Sequence, residues 1–313
     1  MFLFDVDEDR KLTMLRAMHA VAQADGAITP KERALLEVSR DALRLDVQLA
    51  DLAPLDLAEA EGEGGERIVQ AMILMAIMDG AAAPEEAALV KAVADRAKVD
   101  DARVANLRHL AEGRVKWMRF DLTRKGYAKD ELARTAKEEG LAGVYRTFGP
   151  ILGLAGDPEL ARKYIALGEY PAGTVGRAYF DLITKNDLSF PGEPDGLGER
   201  GMWHDMLHVA GGYPVDPIGE AEVVAFMAGF RKEDPFFWLF TVALQFQVGV
   251  VISPFAPGVP DQIDPRRFVL HHKRGALVKI DLSTEWRFEE DWEKPLAEVQ
   301  ARLGVVPLED VVL

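Results

Sequence analysis

The chain has 313 residues, 49% apolar and 28% charged, which is length enough for two ordinary domains and a composition that excludes wholesale disorder or a collagen-like repeat. It has no cysteine, which excludes disulfides, thiolate nucleophiles, cysteine-held iron–sulfur clusters and cysteine-ligated zinc, so any metal must be held by nitrogen and oxygen. With 37 basic against 52 acidic residues the net charge is −15, no local basic patch offsets it, and a nucleic-acid partner is not expected.

The chain opens MFLFDVDEDRK, with acids from Asp5 onward, so the basic start and apolar run of a secretory leader are missing and a cytoplasmic location is expected. An internal repeat then fills the first hundred residues. Ala24-Asp25-Gly26-Ala27-Ile28-Thr29-Pro30-Lys31-Glu32 aligns at a constant offset with Met78-Asp79-Gly80-Ala81-Ala82-Ala83-Pro84-Glu85-Glu86. Each copy follows an amphipathic helix (Leu12 to Ala24, Ile68 to Met78), places Gly where a helix C-cap favours a left-handed residue, and starts a new helix on Pro. Thr29 and Glu32 form a capping box; Ala83 leaves the second cap weaker. Asp51 to Glu66, acidic and glycine-bearing, is a loop between the copies. This helical segment, about residues 8–112, resembles the tellurite-resistance TerB family. Asp25 and Asp79 are single acids in separate turns and are read as turn formers beside glycine, with a docking or regulatory role for the segment.

A further helix, Asp100 to Glu112, leads to a boundary placed between 112 and 113, and helical signals continue beyond it. They cover Asp130 to Glu139, Pro158 to Ala166, Val175 to Thr184 capped by Thr174, Met202 to Ala210, Ala221 to Phe230, Phe236 to Ile252, Asp264 to Val278 and Trp292 to Leu303, with a loop at Asn186 to Arg200. No sustained strand alternation occurs. The expected fold is mostly α, with two helical domains at 1–112 and 113–313. Pro235 to Pro260 carries no charge, but its helical part would reach only about 26 Å against a bilayer core of about 30 Å, so it is read as a buried helix rather than a transmembrane span. Phe237, Trp238, Phe240, Leu244 and Val248 on it are candidate walls for an apolar ligand. Gly196-Leu197-Gly198-Glu199-Arg200-Gly201 has dinucleotide-loop spacing but follows a Pro/Gly loop instead of a strand and is discounted.

The densest chemical signal is His204-Asp205-Met206-Leu207-His208, with Glu220 downstream. At about 100° per residue, His204, Asp205 and His208 sit at about 0°, 100° and 40° on one helix face. Two imidazoles one turn apart can grip one ion, and the Gly211-Gly212 break lets Glu220 approach from the next helix. Two nitrogen and up to two oxygen ligands suit zinc or iron(II). A hydrogen-bonded His–Asp pair in a core would need no metal; the one-turn spacing with a following glutamate favours the metal.

Four stretches of the C-terminal part together resemble the Coq-four family of coenzyme Q (ubiquinone) biosynthesis. They are Arg200 to His208 with Gly219-Glu220 (HDxxH…GE), Tyr170 to Tyr179 (P-x-GT-x-G-x-x-Y), Arg274-Gly275-Ala276, and Trp292 to Val299 with Leu303-Gly304. The resemblance implies a helical fold and a divalent metal, zinc first and iron(II) as the alternative, held by His204, Asp205, His208 and Glu220. It also implies a role on a polyprenylated quinone precursor or another prenyl lipid. The expected activity is metal-dependent oxidative decarboxylation at ring carbon one, carried out with other quinone biosynthesis proteins at the inner face of the membrane. The alternative is a non-catalytic lipid-binding scaffold with a structural metal. A zinc hydrolase with HDxxH in place of HExxH is weaker, because Asp reaches a bound water less well than Glu.

Overall fold

The computed structural model describes residues 2–125, 157–194, 196, 198–252 and 257–313. Within them the helices are α1 (Glu8–Ala22), α2 (Pro30–Leu43), α3 (Gly65–Met75), α4 (Pro84–Ala97), α5 (Ala102–Ala111), α6 (Val115–Lys125), α7 (Pro158–Ile165), α8 (Val175–Lys185), α9 (Met202–Gly211), α10 (Pro217–Phe230), α11 (Pro235–Ala243), α12 (Pro265–Ala276) and α13 (Leu296–Leu303). Among the described residues there is no strand, only one antiparallel bridge between Thr174 and Pro295. The mostly α expectation holds. The helix expected at Asp130 to Glu139 lies outside the described residues.

The chain divides into two compact units. The first is Met1–Leu122, Asp216–Ala276 and Leu308–Leu313; the second is Thr123–Val215 and Leu277–Pro307. This differs from the expected boundary between 112 and 113, and α3 supplies the reason. Every residue from Ile68 to Met78 other than Gln70, which is 9% exposed, is at most 1% exposed. A helix apolar on all sides must be covered on all sides. The repeat alone does not provide that cover; α11 packs on α3, and Phe236, Leu239 and Phe240 join one core with Met14, Leu36 and Met72. Helix α12 packs against α2 and very closely against α10. A Cβ on Gly275 would overlap the Phe226 carbonyl oxygen, so this crossing admits only glycine.

The repeat folds as two helix–turn–helix copies, α1–α2 and α3–α4. In the first, Thr29 Oγ1 accepts from the Glu32 amide at 3.3 Å while Glu32 Oε2 accepts from the Thr29 amide at 2.7 Å, the reciprocal cap. Ala83 has no hydroxyl, so only the Glu86 half survives, at 2.7 Å. The glycines are not helix C-caps as expected. Shorter bonds, such as Ala24 N to Val21 O at 2.9 Å and Met78 N to Met75 O at 3.0 Å, end each helix earlier. Gly26 and Gly80 serve the following turns at φ +136° and +96°. Asp79 Oδ1 accepts from the Ala81 amide at 3.0 Å, the turn-forming use expected of it.

Phe236 to Ile252 is not one helix. Helix α11 stops at Ala243 and gives way to a π-helical turn, Leu244–Val248. Carbonyls there pair with the returning chain, Gln245 O with Val259 N at 3.1 Å and Phe246 O with Gln262 N at 2.8 Å. The candidate wall residues Phe240 and Leu244 are core residues, and Phe237, Trp238 and Val248 pack against that core. No helix among the described residues is long and apolar enough to cross a membrane. One expectation needs correction: on α6 and its lead-in, Arg114, Lys116 and Arg119 are all exposed beside Trp117 and Phe120, a local basic patch on an acidic chain.

The second unit is built on aromatic packing. Tyr179, fully buried, contacts the rings of Tyr164, Phe190 and Trp292. Thr174 caps α8, and the segment before it is clasped by the C-terminal stretch: Gly176 N donates to Trp292 O at 2.9 Å and Leu296 N to Gly173 O at 2.8 Å. Buried Asp291 accepts from Trp286 Nε1 and Lys294 Nζ, both at 2.8 Å, and pairs with Arg302. Two of the four motif stretches therefore hold each other in place. Arg177 is ion-paired to Asp181 at 2.8 Å.

Candidate metal centre

Helix α9 buries Met202, Met206 and Val209 at helical spacing, and this fixes the direction in which the next face points. On that face His204 is half-buried and His208 is 2% exposed. Their Nε2 atoms lie 3.3 Å apart, with ring planes at 76°. His208 Nδ1 lies 3.2 Å from the Tyr213 carbonyl oxygen. A carbonyl can only accept, so Nδ1 carries the proton and Nε2 keeps its lone pair on the side of His204.

The turn after α9 makes that bond. Gly212 N and Tyr213 N both bond back to His208 O, at 2.8 and 3.1 Å, and end the helix. The Tyr213 ring then folds over Gly211, where a Cβ would collide with it. Asp216 caps α10 by accepting from Gly219 N at 2.8 Å, and Pro217 opens the helix. Glu220 stands in the first turn of α10. Within the continuous stretch 204–220, one ligand atom each from His204, His208 and Glu220 lies within 4.8 Å of the other two, so this group could hold a metal ion.

The spacing supports that donor set. With metal–nitrogen bonds of about 2.0–2.1 Å, tetrahedral geometry separates two nitrogens by about 3.3 Å and a right angle by about 2.9 Å. The observed ring-nitrogen separation is 3.3 Å. Asp205 stands outside the group. It is rotated about 100° from His204 on the helix, and Tyr179 is one group that feels its charge. Burial first, then the Asp205 carboxylate, holds the Tyr179 hydroxyl well above the usual phenol range. That hydroxyl is buried with no hydrogen-bond partner among the described residues.

Of the four residues expected at the site, three are brought together and Asp205 is not. Sequence reading missed the Tyr213 carbonyl and left Tyr179 out of the site. The first follows from a backbone turn, for which Gly211-Gly212 is the only local sign. The second lies in the P-x-GT-x-G-x-x-Y stretch, far from the histidines in sequence. No protein-family model matches the chain, and no curated protein matches it.

Proposed function

We propose that this chain binds one divalent metal ion through His204, His208 and Glu220 and acts in ubiquinone biosynthesis on a polyprenylated aromatic precursor. The observation that carries the metal is the pair of ring nitrogens 3.3 Å apart, one of them oriented by a backbone carbonyl. The quinone pathway rests on the resemblance of the motif stretches to the Coq-four family. The metal is proposed as zinc, with iron(II) the alternative that two histidines and one carboxylate also suit.

A bound divalent ion would supply Lewis acidity toward a phenol or carboxylate on the head group, and iron would add redox chemistry with dioxygen as the oxidant, the ring carboxylate leaving as carbon dioxide and a hydroxyl taking its place. The protein's part is positional. The Tyr213 carbonyl fixes the His208 tautomer, burial keeps that ring out of water, and the cap at Asp216 holds the helix end that carries Glu220. The test has two stages. Full-length protein purified without chelator should contain about one divalent ion per chain, and His208→Ala should lose most of it; a folded parent that stays metal-free rejects the site. Deletion in the native host, with quinone intermediates profiled by mass, should accumulate a carboxylated polyprenyl precursor. Loss of several later steps together would replace the enzyme with the scaffold, and an unchanged quinone pool would reject the pathway.

A further inference from the structure

Helix α6 presents an apolar face where a helix of a soluble fold normally presents charge. At about 100° per residue with Trp117 at 0°, Met118, Leu122 and Val115 fall at about 100°, 140° and 160°. Met118 is fully buried and Leu122 is 5% exposed, so this arc faces the core of the first unit. The point opposite its centre is at about 310°, between Phe120 at about 300° and Trp117. Both rings lie on the outward side of the helix. Trp117 is 65% and Phe120 61% exposed, and they pack edge-to-face with centroids 6.4 Å apart.

Bases flank the rings. Lys116 and Arg119 lie at about 260° and 200°, Arg114 at about 60°. All three are exposed, and Arg114 carries an ion pair with Glu112 at 2.9 Å. The stretch 114–125 (RVKWMRFDLTRK) holds five bases and a single acid in a chain of net charge −15. Long-range electrostatics would drive so acidic a protein from an anionic surface, and this stretch, with its local excess of bases, opposes that repulsion. Large exposed rings rimmed by cations match a bilayer interface, where aromatic side chains sit at headgroup level and bases attract anionic lipid.

We infer that α6 docks the protein peripherally on an anionic phospholipid bilayer, with Trp117 and Phe120 entering the interface and Arg114, Lys116 and Arg119 meeting the headgroup phosphates. The inference is independent of the quinone assignment, since no candidate metal ligand lies on α6.

The test is co-sedimentation of the full chain with phosphatidylcholine vesicles with and without phosphatidylglycerol, at low and physiological salt. Binding is expected only with phosphatidylglycerol, weakening as salt rises. The Trp117→Ser/Phe120→Ser variant should bind about ten-fold or more weakly with unchanged circular dichroism. Lys116→Glu, which alters no buried group, should bind at least about five-fold more weakly. Equal binding by parent and variants, or no binding to either vesicle, overturns the inference. So does parent protein that self-associates through this face and becomes monomeric in the Trp117→Ser/Phe120→Ser variant, or that binds an oligonucleotide there in preference to vesicles.

Discussion

Gln247 donates its side-chain amide to the Met78 carbonyl, 2.8 Å away and 169 residues earlier in the chain, while its Oε1 accepts from Lys31 Nζ at 3.0 Å. One buried side chain thereby engages both turns of the internal repeat, and Lys31 adds an ion pair to Asp261. Together with the burial of Phe236, Leu239 and Phe240 against α3, this makes residues 216–276 and 1–122 one cooperative body. Each such side chain contributes about 1.5–3 kcal/mol when buried, against a whole-domain stability of about 5–15 kcal/mol. A fragment of residues 113–313 is therefore expected to be aggregated or molten, with strong dye binding and no cooperative melt. A soluble fragment with a sharp thermal transition would contradict the shared core.

What the sequence made legible was local. The Asp-Gly turn and Pro start inside each copy of the repeat, the Thr29–Glu32 box and the His204–His208 spacing each depend on residues within a turn or two of one another, and each appears in the structure. The 112/113 boundary was not legible, because an all-round apolar helix announces that it needs cover without saying which later segment supplies it. The end of α11 at Ala243 was hidden for a related reason: its stop depends on carbonyl pairing with residues 259–262, and Ala243 itself carries no breaker. Asp205 shared the motif with the histidines, but one position on a helix is a rotation of about 100°, and it is not in the group of ligand atoms that lie close together.

Gly275 belonged to a three-residue family-like stretch, and the structure gives it a steric role. Its α hydrogen faces the Phe226 carbonyl where α12 crosses α10, and no side-chain rearrangement can relieve a clash with backbone. Gly275→Ala should destabilise the protein by about 3 kcal/mol, as overpacking against a rigid neighbour does. Urea denaturation followed by circular dichroism measures it, and a midpoint equal to that of the parent would show that the helices part without cost.

Glu86 is 2% exposed, and burial pushes its carboxyl up to about 8. The bond from the Ala83 amide opposes that rise, and the charges of Asp79, Glu32 and Asp25 add to it. Its folded value lies above its unfolded one, so its contribution to stability is full below about pH 4.5 and is lost as pH rises through about 8. Glu86→Gln keeps an acceptor for Ala83 without a charge. The thermal midpoint of the variant should fall less than the parent's between acid and mildly alkaline buffer; parallel curves for the two proteins would mean that Glu86 is ionised throughout at no cost.

Gly211 ties the backbone turn to the proposed ligand. The Tyr213 ring occupies the space a Cβ would need, and the same turn aims the Tyr213 carbonyl at His208 Nδ1. Gly211→Ala should displace that ring and its carbonyl, free the His208 imidazole to rotate or change tautomer, and weaken metal binding about 10–100-fold, the usual cost of losing an orienting hydrogen bond to a ligand histidine. Competition with a chromophoric chelator reads the affinity directly, and circular dichroism shows whether α9 survives. His208→Ala supplies the lower limit of binding on the same scale. Should Gly211→Ala fold normally and bind zinc as tightly as the parent, the Tyr213 carbonyl would not be what orients His208. The histidine pair would then have to be held in place by the packing of α9 alone.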